Sequence, residues 1–227
     1  MSFIRLHITV EGQTEERFVN KILAKYLDHS KMSVSASCIT TMIDKKRNVT
    51  HKGGLPNYKI AKDNITSLLK HNKKAQEFRL TTMFDLYALP NDFPEYDKAL
   101  QIKDKYAKVK FLEEELAKNI NDTKFIPYIQ LHEFEAIILA DPKHLDIAHP
   151  DYDKEIKKII AMVADGNPEL INDNYDTIPS RRIIKEIPEY DKAASGPIVA
   201  GEIGIAKIRE KCKHFDNWLT TLEALGR

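Results

Sequence analysis

This sequence has almost no net charge. Thirty-five basic residues face 34 acidic ones, a formal +1. That excludes a broadly basic nucleic-acid binder, and any positive surface must be local. Cysteine is scarce too: Cys38 and Cys212 lie far apart, which excludes a disulfide framework and a zinc ribbon and points to a reducing compartment. No stretch approaches the roughly 18 apolar residues of a membrane helix. The opening Met1-Ser2-Phe3-Ile4-Arg5 lacks the basic and apolar regions of a secretory signal, so the expected setting is the cytoplasm, with no membrane partner. There is no fixed-period repeat and no low-complexity tract. What remains is a chain of 227 residues, 42% hydrophobic and 30% charged, enough for one large domain or two small ones.

The apolar pattern alternates between strand and helix. Phe3 to Val10 predicts a buried strand stopped by Glu11-Gly12. A helix opening at Thr14 follows, with Phe18, Ile22, Leu23, Tyr26 and Leu27 on one face and Thr14 as a cap. A second strand is predicted within Val34–Ile43, then a loop over 45–54 carrying Lys45, Lys46, Arg47 and Lys52 without an acid, then a helix over Tyr58–Leu69. Leu80–Phe84 predicts a third strand, Tyr96 to about Ile120 a helix, and Phe125–Gln130 a short fourth strand whose Pro127 favours an edge or an end. Together these predict an α/β domain over 1–141, a mostly parallel sheet flanked by helices. Helical patterns at 151–164, 180–187, 202–211 and 215–225 predict a helical portion over 142–227, packed on the first.

Open α/β sheets place ligands beyond the carboxyl ends of their strands. Here those positions are acidic. Glu11 follows the first strand, Asp85 the third, and Glu133 and Glu135 the fourth. Such a cluster suits Mg²⁺, which prefers oxygen ligands and retains waters, or general acid–base work. Glu15 and Glu16 read equally well as acids complementing a helix N-terminus. Several other chemistries fail. His132-Glu133-Phe134-Glu135-Ala136 starts like HExxH but lacks the second histidine, and Gly53-Gly54 lacks the Gly-Lys-Ser/Thr of a P-loop. His144 and His149 read as surface residues. Gly196, Gly201 and Gly204 match no dinucleotide fingerprint and predict a turn with close helix packing, and Trp218 predicts core or a docking surface.

Val10-Glu11-Gly12-Gln13-Thr14-Glu15-Glu16-Arg17-Phe18 resembles the VEGxTE opening of Toprim-like proteins. The whole chain resembles the DUF4276 family through Asp85-Leu86-Tyr87-Ala88-Leu89-Pro90, Asp92-Phe93-Pro94, Leu131 to Ala136, Pro179-Ser180-Arg181 and His214 to Leu219. The resemblance implies a Toprim-like fold with a site for Mg²⁺ or Mn²⁺, related to OLD-type nucleases and the RloB group. It implies Mg²⁺-dependent cleavage of phosphodiester bonds in nucleic acid, in antiviral defence, beside an ATPase supplied as a separate subunit. Glu11, Asp85 and Glu135 become the expected catalytic residues, and these three with Asp92 the expected metal ligands. Tyr87 stands where the Toprim pattern has a second aspartate. A phenol is a poor Mg²⁺ ligand, so Asp92 or Glu135 is expected to supply the missing carboxylate. For substrate phosphate the expected contacts are Lys52 and Gly53 on the basic loop, and Ser180, Arg181 and Lys192 at and after the 180–187 helical segment. The alternative is a non-catalytic subunit that keeps the fold and binds nucleic acid or a partner ATPase.

Overall fold

The computed structural model describes residues 3–28, 31–44, 49–52, 54–163, 166–171 and 177–226, with backbone alone at 41–44 and 49–52. Its centre is a parallel sheet in the order β2 (Met32–Cys38), β1 (Ile4–Val10), β5 (Phe78–Asp85), β6 (Phe125–Ile126), with β7 (Ile129–Gln130) also pairing with β5. The register aligns the carboxyl ends: Val10 lies opposite Met83, and Asp85 opposite Gln130. Strand alternation explains β1, whose Ile4, Leu6, Ile8 and Val10 are all buried on one face. On the other face, the His7 ring bonds the hydroxyls of Ser35 and Ser37, both at 2.9 Å.

Three single elements of the sequence reading divide in the structure. The strand predicted within 34–43 breaks at the buried Ile39, because β2 belongs to the parallel sheet while β3 (Thr40–Asp44) pairs antiparallel with β4 (Val49–Lys52). Part of the expected basic loop is therefore a hairpin strand. The 96–120 helix is two, α4 (Tyr96–Leu100) and α5 (Lys105–Ile120), the second capped by Asp104 accepting from the Ala107 N–H at 2.7 Å. Pro127 splits the fourth strand into β6 and β7. Thr82 bridges the gap: its hydroxyl donates to the Tyr128 carbonyl at 2.9 Å and accepts from the Tyr128 N–H at 3.0 Å.

Helices cover both faces. On one lie α3 (Tyr58–His71) and α5, with Phe84 and Leu80 in their core. On the other lies the first helix, which runs through α1 (Gln13–Phe18), a π turn over Val19–Leu23 and α2 (Ala24–Leu27). The C-terminal helices α9 (Lys192–Ile203), α10 (Ile205–Lys211) and α11 (Lys213–Ala224) join it, and residues from both sides of position 141 share this core. Trp218 is buried there, stacked on Tyr128 at 4.1 Å, and its indole N–H donates to the Thr81 hydroxyl at 3.0 Å. Among the described residues no helix is long and apolar enough to cross a membrane.

Most of α9 was invisible in the sequence, because Gly196, Pro197 and Gly201 all argue against a helix. Tertiary contacts make up the loss. Pro197 has no N–H to give the carbonyl four residues earlier, and Arg17 of α1 donates to that Ala193 carbonyl instead, at 2.6 Å. Gly196 lets the helix approach: a Cβ there would lie 3.2 Å from Phe134 and from Thr14, and 3.3 Å from the Tyr190 hydroxyl. Gly196→Val is expected to cost about 1–3 kcal/mol of stability through overpacking, measured by urea unfolding. An unchanged midpoint would show that α9 does not need this close approach.

Candidate active site at the carboxyl edge of the sheet

Each acid at this edge is placed by a different local device. Glu11 is the first residue past β1, and its Oε2 accepts from the Asp85 N–H at 3.3 Å, joining two strand ends. Its carbonyl accepts from the Gly54 N–H at 3.0 Å. Gly54 sits at φ +74°, a conformation that favours glycine, so the segment after β4 returns beside Glu11. Gly12 is the N-cap of α1, and the buried Glu15 side chain reaches back to accept from the Gly12 N–H at 2.8 Å. Glu15, not Thr14, thus serves the helix start. Beyond β7, His132 adopts φ +62° with a buried side chain, a strained backbone for a non-glycine residue. The turn it makes precedes Glu133 and Glu135, both buried.

These five carboxyl groups form one electrostatic unit. Burial raises Asp85 well above the ordinary aspartate range, and the charges of Glu15, Glu11, Glu133 and Glu135 add to it. Burial likewise pushes Glu11 up to about 7, opposed by the Asp85 N–H and by Lys192 and reinforced by Glu15. Glu135 also rises to about 7, chiefly through burial, with Lys192 pulling the other way. Glu15 is raised mainly by burial. Lys192 at the start of α9 answers them: it lies 2.8 Å from Glu133 Oε2 and 3.4 Å from Glu135 Oε2. Burial works against its charge, but Glu135 and Glu133 outweigh that and hold the ammonium protonated. The Tyr190 hydroxyl donates to Glu135 Oε1 at 3.4 Å.

Among the described residues, no three histidine, cysteine or acidic side chains already form a metal cage. The donor set nevertheless suits Mg²⁺. Asp85 Oδ1 is buried with no hydrogen-bond partner, and buried polar atoms are rarely left so. Around it stand the carboxyl groups of Glu11, Glu15, Glu133 and Glu135, oxygen donors all, with Lys192 as counter-charge. Mg²⁺ usually takes only one or two protein carboxylates and keeps its waters.

A family model described as "Domain of unknown function (DUF4276)" matches residues 10–223. The chain belongs to this family. No curated protein matches the sequence. Among solved structures, the chain is similar to the C-terminal region of the Burkholderia pseudomallei OLD protein, at 17% identity and a TM-score of 0.48 with both chains fully covered. It is also similar to the C-terminal region of the Xanthomonas campestris pv. campestris OLD protein, at 16% identity and a TM-score of 0.39, covering 97% of this chain and 98% of that one.

Of the expected site residues in this DUF4276 chain, Glu11, Asp85 and Glu135 come together, and Lys192 joins them as their counter-charge. Asp92 is engaged elsewhere: its Oδ1 accepts from the Tyr58 N–H at 2.8 Å, at the start of α3. Ser180 is buried and its N–H donates to Glu133 Oε1, so the anion at the start of α8 (Pro179–Glu186) is the protein's own carboxylate. Arg181 lines a separate cavity with Lys158, Met162 and Thr177, next to α7 (Asp153–Val163). Lys52 lies in β4, with its backbone two residues before Gly54, and Gly53 lies outside the described residues. His149, expected at the surface, is buried and bonds the Ser195 hydroxyl at 3.1 Å. Glu133 and Glu15 are the acids that the sequence left unassigned. The reach-back of Glu15 three residues past Gly12 was the available signal; Glu133 stood among the acids past the fourth strand, and only its pairing with Lys192 and Ser180 had no signal.

Proposed function

We propose that this protein is a Mg²⁺- or Mn²⁺-dependent nuclease that hydrolyses phosphodiester bonds of nucleic acid. The observation that carries the reading is the buried, unpartnered Oδ1 of Asp85 amid four further carboxyl groups. A stable fold gains nothing from that arrangement unless a cation enters it. Asp85 and Glu11 would hold the metal, with Glu135 and Glu133 behind them. When bound, it supplies Lewis acidity toward a phosphoryl oxygen and lowers the pKa of a coordinated water.

The chain's own groups do the rest. Glu11, raised by burial to about 7 while no metal is bound, would be drawn into its charged, ligating form by a cation at Asp85. Lys192 sits at the open side of the group, its side chain 42% exposed, where an ammonium can meet a phosphate oxygen. A separate ATPase subunit and a role in antiviral defence belong to this same reading and rest on the family resemblance, while a cytoplasmic setting rests on the scarce, widely separated Cys38 and Cys212.

The test is cleavage of single- and double-stranded DNA and RNA with Mg²⁺ or Mn²⁺. Parent activity should vanish with chelator, and Glu11→Gln should lower it about 100-fold. Equal activity of parent and Glu11→Gln would remove Glu11 from the reaction. The lack of a ready-made ligand cage among the described residues favours a second reading, a non-catalytic subunit that binds nucleic acid or an ATPase. Nucleic-acid binding without metal uptake, seen by calorimetry, would select it.

A further inference from the structure

At the same edge of the sheet, on the side of α5, a cavity of about 370 Å³ opens, lined by Leu86, Tyr87, Tyr96, Lys105, Lys108 and His132 among others. The chemistry proposed above does not use it. It begins where the acidic group ends: Leu86 follows Asp85 in the chain, and His132 precedes Glu133. The Tyr87 N–H donates to the His132 carbonyl at 2.9 Å, so the two segments are clasped at the shared rim. Two residues of its lining therefore stand one position along the chain from Asp85 and from Glu133, about 3.8 Å between Cα atoms.

Its lining is chemically selective. Tyr87 is 38% exposed, unusual for an aromatic residue beside a buried site, and it is carried on a short 3₁₀ turn over Leu86–Ala88. Leu86, Ala99 and the buried Leu112 give an apolar floor. Lys105 and Lys108 are three residues apart on α5 and so share a face. The Lys105 ammonium is fixed on the Leu170 carbonyl at 3.0 Å. Among the described residues no carboxylate lines this cavity, in sharp contrast to its neighbour. A flat ring, an apolar floor and ammonium groups together fit one chemical class, an aromatic base attached to phosphate. The volume lies in the range of small-molecule sites, about 300–1,000 Å³.

We propose that this cavity is a stacking subsite for one unpaired nucleobase of a strand whose phosphate lies at the carboxylates. Tyr87 is the platform and Lys108 contacts the strand's backbone. The proposal rests on the nuclease reading and names its substrate as single-stranded or frayed nucleic acid. A base within a duplex has both faces stacked and would first have to be unpaired.

The experiment uses the full chain in the Glu11→Gln background without metal, so that binding is read apart from cleavage. The probes are single-stranded DNA and RNA oligonucleotides carrying 2-aminopurine, the matching duplexes, and free 2-aminopurine nucleotide. The expected result is quenching and binding of the single strands, weaker binding of duplexes, and a Kd raised about 5- to 50-fold by Tyr87→Leu, with Tyr87→Phe close to parent. Lys108→Gln should lower the salt dependence by about one phosphate contact. Unquenched fluorescence, or Tyr87→Leu binding both forms like the parent, overturns the subsite. Tyr87-dependent binding of the free nucleotide as tight as that of the oligonucleotide overturns its assignment to a strand. The two readings fail separately. Tyr87-dependent quenching without cleavage by the Glu11 parent keeps the subsite and removes the nuclease; Glu11-dependent cleavage indifferent to Tyr87 does the reverse.

Discussion

Asp85→Asn is expected to abolish metal-dependent cleavage while raising the melting temperature of the metal-free protein by about 4–8 °C at pH 7.5. The acid is burdened by burial and by four neighbouring carboxyl groups, and one of its oxygens has no partner. An amide of the same shape removes the charge. A gain of about 2 kcal/mol gives the stated shift for a chain of this size. The pH dependence separates this cause from generic stabilisation. Glu11 and Glu135 rise on folding from an ordinary 4.5 to about 7, so the folded chain binds more protons between those values. Stability of the parent is therefore full below about pH 4.5 and falls as pH rises to about 7. One such carboxyl accounts for about 3 kcal/mol of the loss. The benefit of Asp85→Asn should shrink toward pH 4, where the parent's acids are protonated at no cost. Mn²⁺ at pH 7.5 should raise the melting temperature of the parent and not of the variant. Scanning calorimetry across pH, with and without Mn²⁺, decides. A lower melting temperature for Asp85→Asn, or an equal Mn²⁺ response, would contradict a cation site at Asp85.

Glu169→Ala is expected to lose about 3–5 kcal/mol of stability, the largest effect of a single truncation outside the site. Glu169 is fully buried. Its carboxylate accepts from the Tyr106 hydroxyl at 2.9 Å, from the His214 N–H at 2.9 Å and from the Phe215 N–H at 3.0 Å. It thereby caps the first turn of α11 from a distant segment. Truncation removes the acceptor of one buried and two half-buried donors, at about 1–3 kcal/mol each before relaxation. Glu169→Gln keeps an acceptor and should lose less. The urea midpoint should fall with unchanged slope; a loss below about 1 kcal/mol would show that water replaces the carboxylate. The damage should reach the site, because α11 carries Trp218, which bonds Thr81 on the strand that ends at Asp85.

The legible part of this molecule was whatever an apolar run determines locally. Glu11 and Asp85 could be found because a buried strand ends beside each of them, and parallel order then brings the ends together. Glu133 was found on the same ground, past the fourth strand, but its partners were not, since they depend on the left-handed backbone of His132 and on distant segments. Lys192 was read as a phosphate contact because sequence shows a charge without its partners; its pairing with Glu133 and Glu135 is wholly tertiary. The hairpin β3–β4 hid inside a basic stretch, since charge composition masked its pairing. The α9 helix hid behind Gly196 and Pro197, residues that weaken an isolated helix but suit one pressed against α1.

That substitution of partners in α9 reaches beyond the helix itself. Arg17 fills the bond that Pro197 cannot make, so α1 and α9 are bolted together a short distance from the acids. Glu15 belongs to the first and Lys192 to the second. The spacing of opposite charges in the site is thus borne by the scaffold, and their own attraction need not maintain it. A pocket built this way would keep its shape with or without the proposed cation, like a socket machined into the frame.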